Sequence, residues 1–170
     1  MPTPRVGEVR RFYAQLGRWS AAFALVADMA FVTMGGGLKR REMISARMGD
    51  VLSDLYFLSA VLKRWEDEGS QKADLPVVRF AALDALSRIQ STLDEVLANF
   101  PNRAVAAVLR VMVRSGSRVR GPDDDLYRQC AELLTESSDA RARIVGRVFE
   151  GCDRDGVELL DAAFAEVTDA

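Results

Sequence analysis

Two aspartates one helical turn apart, Asp50 and Asp54, follow Arg47 by three and seven residues. Paired carboxylates can divide general acid and general base work, but only where a pocket sets their proton affinities apart. An i,i+3 ion pair between Arg47 and Asp50 accounts for the same spacing on a solvated helix face. Asp28 is a different case. It interrupts the apolar run from Ala21 to Met34, and an unpaired carboxylate is expensive to bury. The expectation is a buried bond from Asp28 to an arginine such as Arg47, with a place in a site wall as the other reading. Asp28, Arg47 and Asp50 are thus the candidate buried polar residues.

Cations offer a second chemistry. Arg103, Arg110 and Arg114 are separated by seven and four residues, which on a helix aligns them within about 40° on one face. Val105, Val108, Leu109, Met112 and Val113 take the other face, and Arg118 and Arg120 carry the positive charge into the next loop. Such a helix can lie on an anionic membrane surface, with guanidiniums at the headgroups. It can equally be a solvated surface helix. These five arginines are the candidate anion or membrane contacts. Gly35-Gly36-Gly37 followed by Lys39, Arg40 and Arg41 has the ingredients of a phosphate cradle at a helix start. It lacks the GxxxxGK[ST] order and the preceding strand of a P-loop, so a helix-to-helix turn is the expected role.

The chain has no histidine, which removes the commonest general base and metal ligand. Cys130 and Cys152 lack CxxC spacing, so neither a metal site nor a redox relay is supported. With 23 basic and 25 acidic residues the net charge is −2, which argues against a general nucleic-acid binder. Met1 to Arg5 has no basic start and apolar core of a signal peptide, so a cytoplasmic location is expected.

Helical spacing must position all these groups. Phe12, Leu16, Trp19, Phe23, Val26 and Ala30 recur in steps of four and three, one stripe of a buried helix. The run Ala21 to Met34 is shorter than a membrane span and carries Asp28. Ile44, Met48, Val51, Leu55, Leu58, Leu62 and Trp65 repeat the pattern. Two antiparallel helices are implied, reversing at Gly35 to Gly37, which tolerate left-handed backbone. A third helix is expected from Pro76 through Phe80, Leu83, Leu86, Ile89, Leu93 and Leu97. A fourth spans Arg103 to Arg114. Asp123 opens a fifth, and Ser138 to Glu150 and Asp155 to Thr168 supply two more around a turn at Gly151 to Asp153. No alternating run suggests a strand. The expected fold is all-α: one helical domain over residues 1–170, with bundle helices at 8–114, a loop at 115–122 and a smaller helical tail at 123–170.

Longer blocks carry more identity than these motifs. Gly35-Gly36-Gly37-Leu38-Lys39-Arg40-Arg41-Glu42, Ser45-Ala46-Arg47-Met48-Gly49-Asp50-Val51-Leu52-Ser53-Asp54-Leu55-Tyr56 and Leu62-Lys63-Arg64-Trp65-Glu66-Asp67-Glu68-Gly69, with Leu97-Ala98-Asn99-Phe100-Pro101-Asn102-Arg103 and Arg118-Val119-Arg120-Gly121-Pro122-Asp123-Asp124, together resemble the C-terminal helical region of long-form bacterial acyl-CoA dehydrogenases of fatty-acid β-oxidation. The resemblance runs from about Arg11 to Leu134 and fades beyond. It implies a parent flavoprotein whose FAD and catalytic glutamate lie in an upstream dehydrogenase domain. Glu42, Glu66 and Glu68 match charged positions of the C-terminal region, so no catalytic, cofactor or metal residue is assigned here. The resemblance also implies an upstream catalytic domain as partner, a homo-oligomer, and peripheral contact with the inner membrane as an option. An independent helical interaction module without enzymatic activity is the alternative. A severed domain should expose a large apolar patch, whereas an independent module should bury it or self-associate.

Overall fold

A computed structural model of the chain describes residues 7–113, 118–146 and 156–168. Among these the regular structure is helical, with seven α-helices and no strand. Contacts divide the chain into two compact units, Met1–Pro122 and Asp123–Ala170.

In the first unit, α1 (Gly7–Met34) passes through a 3-10 turn (Gly35–Arg40) into α2 (Glu42–Asp67), and α3 (Leu75–Ala98) and α4 (Arg103–Val113) follow. Of the three glycines at the turn only Gly35 takes a positive φ, +48°, which stops α1 at Met34 without a Cβ clash. Gly36 and Gly37 continue into the 3-10 turn, the helix-to-helix connection expected of this segment.

The seven-residue stripe of α2 is buried throughout, from Ile44 to Trp65. It packs on α3, whose buried residues are Val78, Ala82, Ala85, Leu86, Ile89, Leu93, Val96 and Leu97. The alanines were absent from the expected stripe, while Phe80 and Leu83 are half-buried at its edge. Small side chains at 82 and 85 let the backbones approach closely, and the larger residues flank that contact. Two ion pairs set the register. Arg47 Nε donates to Glu95 Oε2 at 2.8 Å, and seven residues further along α2 Asp54 accepts from Arg88 Nη2 at 2.8 Å, seven residues back along α3. Equal and opposite steps mean antiparallel helices.

Charge partners therefore differ from expectation. Arg47 crosses to α3 instead of pairing with Asp50, and Asp54 is held by Arg88, which also binds Asp84. The Asp54 hydrogen bond raises the Arg88 guanidinium above its ordinary value against the opposing effect of burial. Asp28 and Asp50 are exposed, and Arg47 is half-buried. None of the three is the buried polar group expected, because the stripe of α1 that faces the core passes through Val26 and Ala30 and leaves Asp28 on the far side.

The run Ala21 to Met34 is likewise not a buried helix. By length and composition alone the helical stretch Val9–Arg40 could cross a membrane, and only 11% of its most apolar 18-residue window is buried. Val9, Phe12, Trp19, Val26 and Ala30 enter the core, and the opposite side is uncovered. Tyr13 sets the other end of the pair, near the C-terminus of α2. Burial and the Glu66 and Asp67 carboxylates push its phenol up to about 12.

The second unit holds α5 (Asp124–Thr135), α6 (Asp139–Val145) and α7 (Gly156–Thr168). Asp123 caps α5, accepting from Leu126 N at 2.9 Å, and Ser138 caps α6, accepting from Arg141 N at 3.1 Å. The Arg141 guanidinium lies 3.9 Å from the centre of the Phe164 ring. The turn at Gly151 to Asp153 and Cys152 lie outside the described residues.

Leu58 and Leu93 are at most 1% exposed, so Leu58→Ala or Leu93→Ala should cost about 2–5 kcal/mol in urea unfolding. The exposed Leu52→Ala should stay within about 0.5 kcal/mol. Tyrosine ionises near 10 in an unfolded chain, so between that value and 12 the unfolded state releases a proton that the folded state keeps. Stability should fall as pH rises through this window. Urea midpoints at about pH 9 and about pH 11 should show the fall, and Tyr13→Phe should flatten it.

Candidate functional site

Helix ends expose carbonyls without partners, and the last turn of a helix carries partial negative charge. Arginines meet that need three times in the first unit. Arg103 Nη1 donates to Ala98 O at 2.9 Å and Arg110 Nη2 to Leu97 O at 3.1 Å, both at the C-terminal end of α3. Arg18 Nη2 donates to Val113 O at 3.1 Å, at the end of α4, while its guanidinium lies 4.9 Å from the Trp19 ring centre. Asn102 caps the start of α4, accepting from Ala104 N at 3.1 Å and Val105 N at 3.2 Å.

Of the basic face expected on α4, Arg103 is exposed and Arg110 is half-buried. Arg103 and Arg110 stand on one side, but they fasten α4 to the end of α3. Arg114 lies outside the described residues. Arg118 and Arg120 are exposed beside Val119, whose N–H donates to Gln90 Oε1 at 2.9 Å. Among the described arginines, Arg103 and Arg110 are thus bonded to α3 carbonyls, while Arg118 and Arg120 stand exposed in the following loop. A chain with arginines spaced along one face does not reveal, by spacing alone, whether carbonyls or solvent will meet them.

The apolar side of α4 divides in two. Ala106, Leu109 and Val113 are buried, whereas Val108, Val111 and Met112 are 60%, 76% and 55% exposed. Together with α1 this second strip forms a cleft of about 290 Å³ lined by Leu25, Met29, Ala104, Val105, Val108, Leu109 and Met112. Leu25 and Met29 lie one turn apart on α1, away from the stripe read from the sequence. The signal that could have found them is the width of the apolar face of α4, which exceeds what one neighbouring helix covers. Seven apolar side chains offer no donor to an anion and no group for proton transfer. This cleft suits an apolar surface.

No group of metal-binding residues occurs among the described residues. The Cys130 thiol is half-buried, and burial raises its pKa, which keeps it protonated and weakly nucleophilic.

Arg110→Met should destabilise the chain by about 1–2 kcal/mol, because two α3 carbonyls then share one guanidinium. Arg120→Met, at an exposed position, should change stability by less than about 0.5 kcal/mol. Sedimentation with anionic vesicles should be the same for Arg110→Met and the parent chain, since that guanidinium is already engaged.

No solved structure matches the chain. The family model described as acyl-CoA dehydrogenase, C-terminal, bacterial type, matches residues 1–170. The likeness thus extends past Leu134, where it was expected to fade, and takes in both units. The all-helical structure of the described residues agrees with it, and the chain belongs to the family of bacterial-type acyl-CoA dehydrogenase C-terminal domains.

Proposed function

We propose that this chain is the non-catalytic helical domain of an FAD-dependent acyl-CoA dehydrogenase of fatty-acid β-oxidation, and that it packs on the flavin-bearing domain through the α1–α4 cleft. The observation that carries the reading is the exposed apolar strip Val108, Val111 and Met112 beside that cleft. Such a strip is costly to leave in water and marks a contact surface. Its lining supplies no hydrogen-bond donor for a dinucleotide pyrophosphate, and the glycine turn is helical. The cleft and the glycine turn therefore do not fit FAD, and in this reading the flavin belongs to the partner domain.

In this reading the domain works by covering surface. A dehydrogenase that takes a proton and a hydride from neighbouring acyl carbons needs its flavin shielded from water, and a helical bundle seated on the catalytic domain stabilises that closed arrangement. A homo-oligomer and a cytoplasmic location complete the proposal. The alternative, an independent interaction module, leaves the strip to self-association.

Two tests separate these. Genomic DNA upstream of the Met1 codon should encode a dehydrogenase domain in frame or as a neighbouring gene. That domain, mixed with the chain, should co-elute in gel filtration. Val108→Glu and Met112→Glu should weaken the complex by at least about tenfold, since each would bury a carboxylate against an apolar surface. Undiminished binding by both variants, with helicity retained, would remove the cleft from the contact.

A further inference from the structure

The outward face of α1 has its own pattern. Arg10, Ala14, Gly17, Ala21, Ala24 and Asp28 follow one another in alternating steps of four and three, and all six are exposed. At about 100° per residue this line runs roughly opposite the buried stripe of Val9, Phe12, Trp19, Val26 and Ala30. It also lies to one side of Leu25 and Met29, which belong to the cleft. A Cβ built at Gly17 would meet nothing within 4 Å. Among the described residues neither Arg10 nor Asp28 has an ion-pair partner in its own chain.

The placement of these two charges names the occupant. Arg10 lies nine residues before Trp19 and Asp28 nine residues after it; Ala14 and Ala24 stand five to either side, and Gly17 and Ala21 two to either side. A second α1 laid antiparallel across the face, with its two-fold axis at Trp19, would set Arg10 against Asp28 of the second copy at both ends. Ala14 would meet Ala24, and Gly17 would meet Ala21, with no bulky side chain between the backbones. Beyond the charges, Phe31 would extend over Gly7 of the second copy. Phe31 is 63% exposed in the single chain. A parallel pairing would instead oppose Arg10 to Arg10 and Asp28 to Asp28, which is repulsive at both ends.

We infer that the outward face of α1 is an isologous contact between two copies of this chain, held in antiparallel register by reciprocal Arg10–Asp28 ion pairs. A closed two-fold interface requires a self-complementary patch, and this face has one. Small side chains permit the close approach; the charges select a second copy and its direction. The same argument explains a carboxylate in the otherwise apolar run from Ala21 to Met34. The contact deepens the homo-oligomer reading and is independent of the cleft, so loss of flavin-domain binding in Val108→Glu leaves it unaffected.

Sedimentation equilibrium of the full chain tests it. The parent chain should dimerise, and Asp28→Arg or Arg10→Asp alone should raise the dimer Kd by more than about tenfold, because each sets like charges at both ends. The double variant Arg10→Asp with Asp28→Arg should return to within about threefold of the parent value. Circular dichroism confirms that the variants, altered only at exposed positions, keep their helices. A chain that stays monomeric, a double variant as weak as the single ones, or a monomer that binds anionic vesicles through this face would each overturn the inference.

Discussion

The antiparallel register of α2 against α3 is the constraint on which the rest of the first unit depends. A full seven-residue stripe of α2 is buried against a face of α3 that narrows to alanine at positions 82 and 85. Arg47–Glu95 and Asp54–Arg88 lock the same register from the rim. Partly exposed ion pairs contribute only about 0.2–1 kcal/mol each, so the buried stripe supplies the stability. The ion pairs select among alignments that would bury similar areas. Once this pair is set, the glycine turn entering α2 and the asparagine–proline turn leaving α3 stand at the same end of the bundle. The start of α4 is then delivered to the end of α3, and α4 runs back along α1.

Guanidinium groups finish two helix ends. Arg103 and Arg110 reach the last carbonyls of α3, and Arg18 reaches the last carbonyl of α4. Each satisfies an acceptor that a helix cannot satisfy itself, and each places positive charge where the helix dipole favours it. An arginine-rich face that suggests nucleic-acid, membrane or phosphate contact can therefore be spent on backbone. The helix carrying it is fastened in place, and its remaining apolar strip is turned outward beside Leu25 and Met29. The cleft is a consequence of the capping.

Among the described residues of the first unit, the α1–α4 cleft and the outward face of α1 are both uncovered. They differ in chemistry. The cleft is concave and without charge, which suits a neighbouring domain. The outward face is lined by small residues and ends in opposite charges, which suits its own copy. In the proposed reading the chain, a member of the bacterial-type acyl-CoA dehydrogenase C-terminal family, uses one surface for each contact, and neither needs a catalytic residue.

Periodicity alone determined the helices. The α2 stripe was legible residue by residue, because seven large apolar side chains at steps of three and four leave one solution for which face is buried. The start of α5 at Asp123 was equally legible, since an Asx side chain before an apolar run satisfies free N–H groups locally. Long blocks of residues determined the family. Tertiary structure decided where the charges went. Asp28 and Asp50 were read as buried and are exposed, because each lies off the stripe of its helix that meets the core. Arg47 and Asp54 chose partners on α3, from 34 to 48 residues away, over the partner three residues along the same helix. Such choices depend on distances across the bundle, which exist only after the cores of α2 and α3 have met.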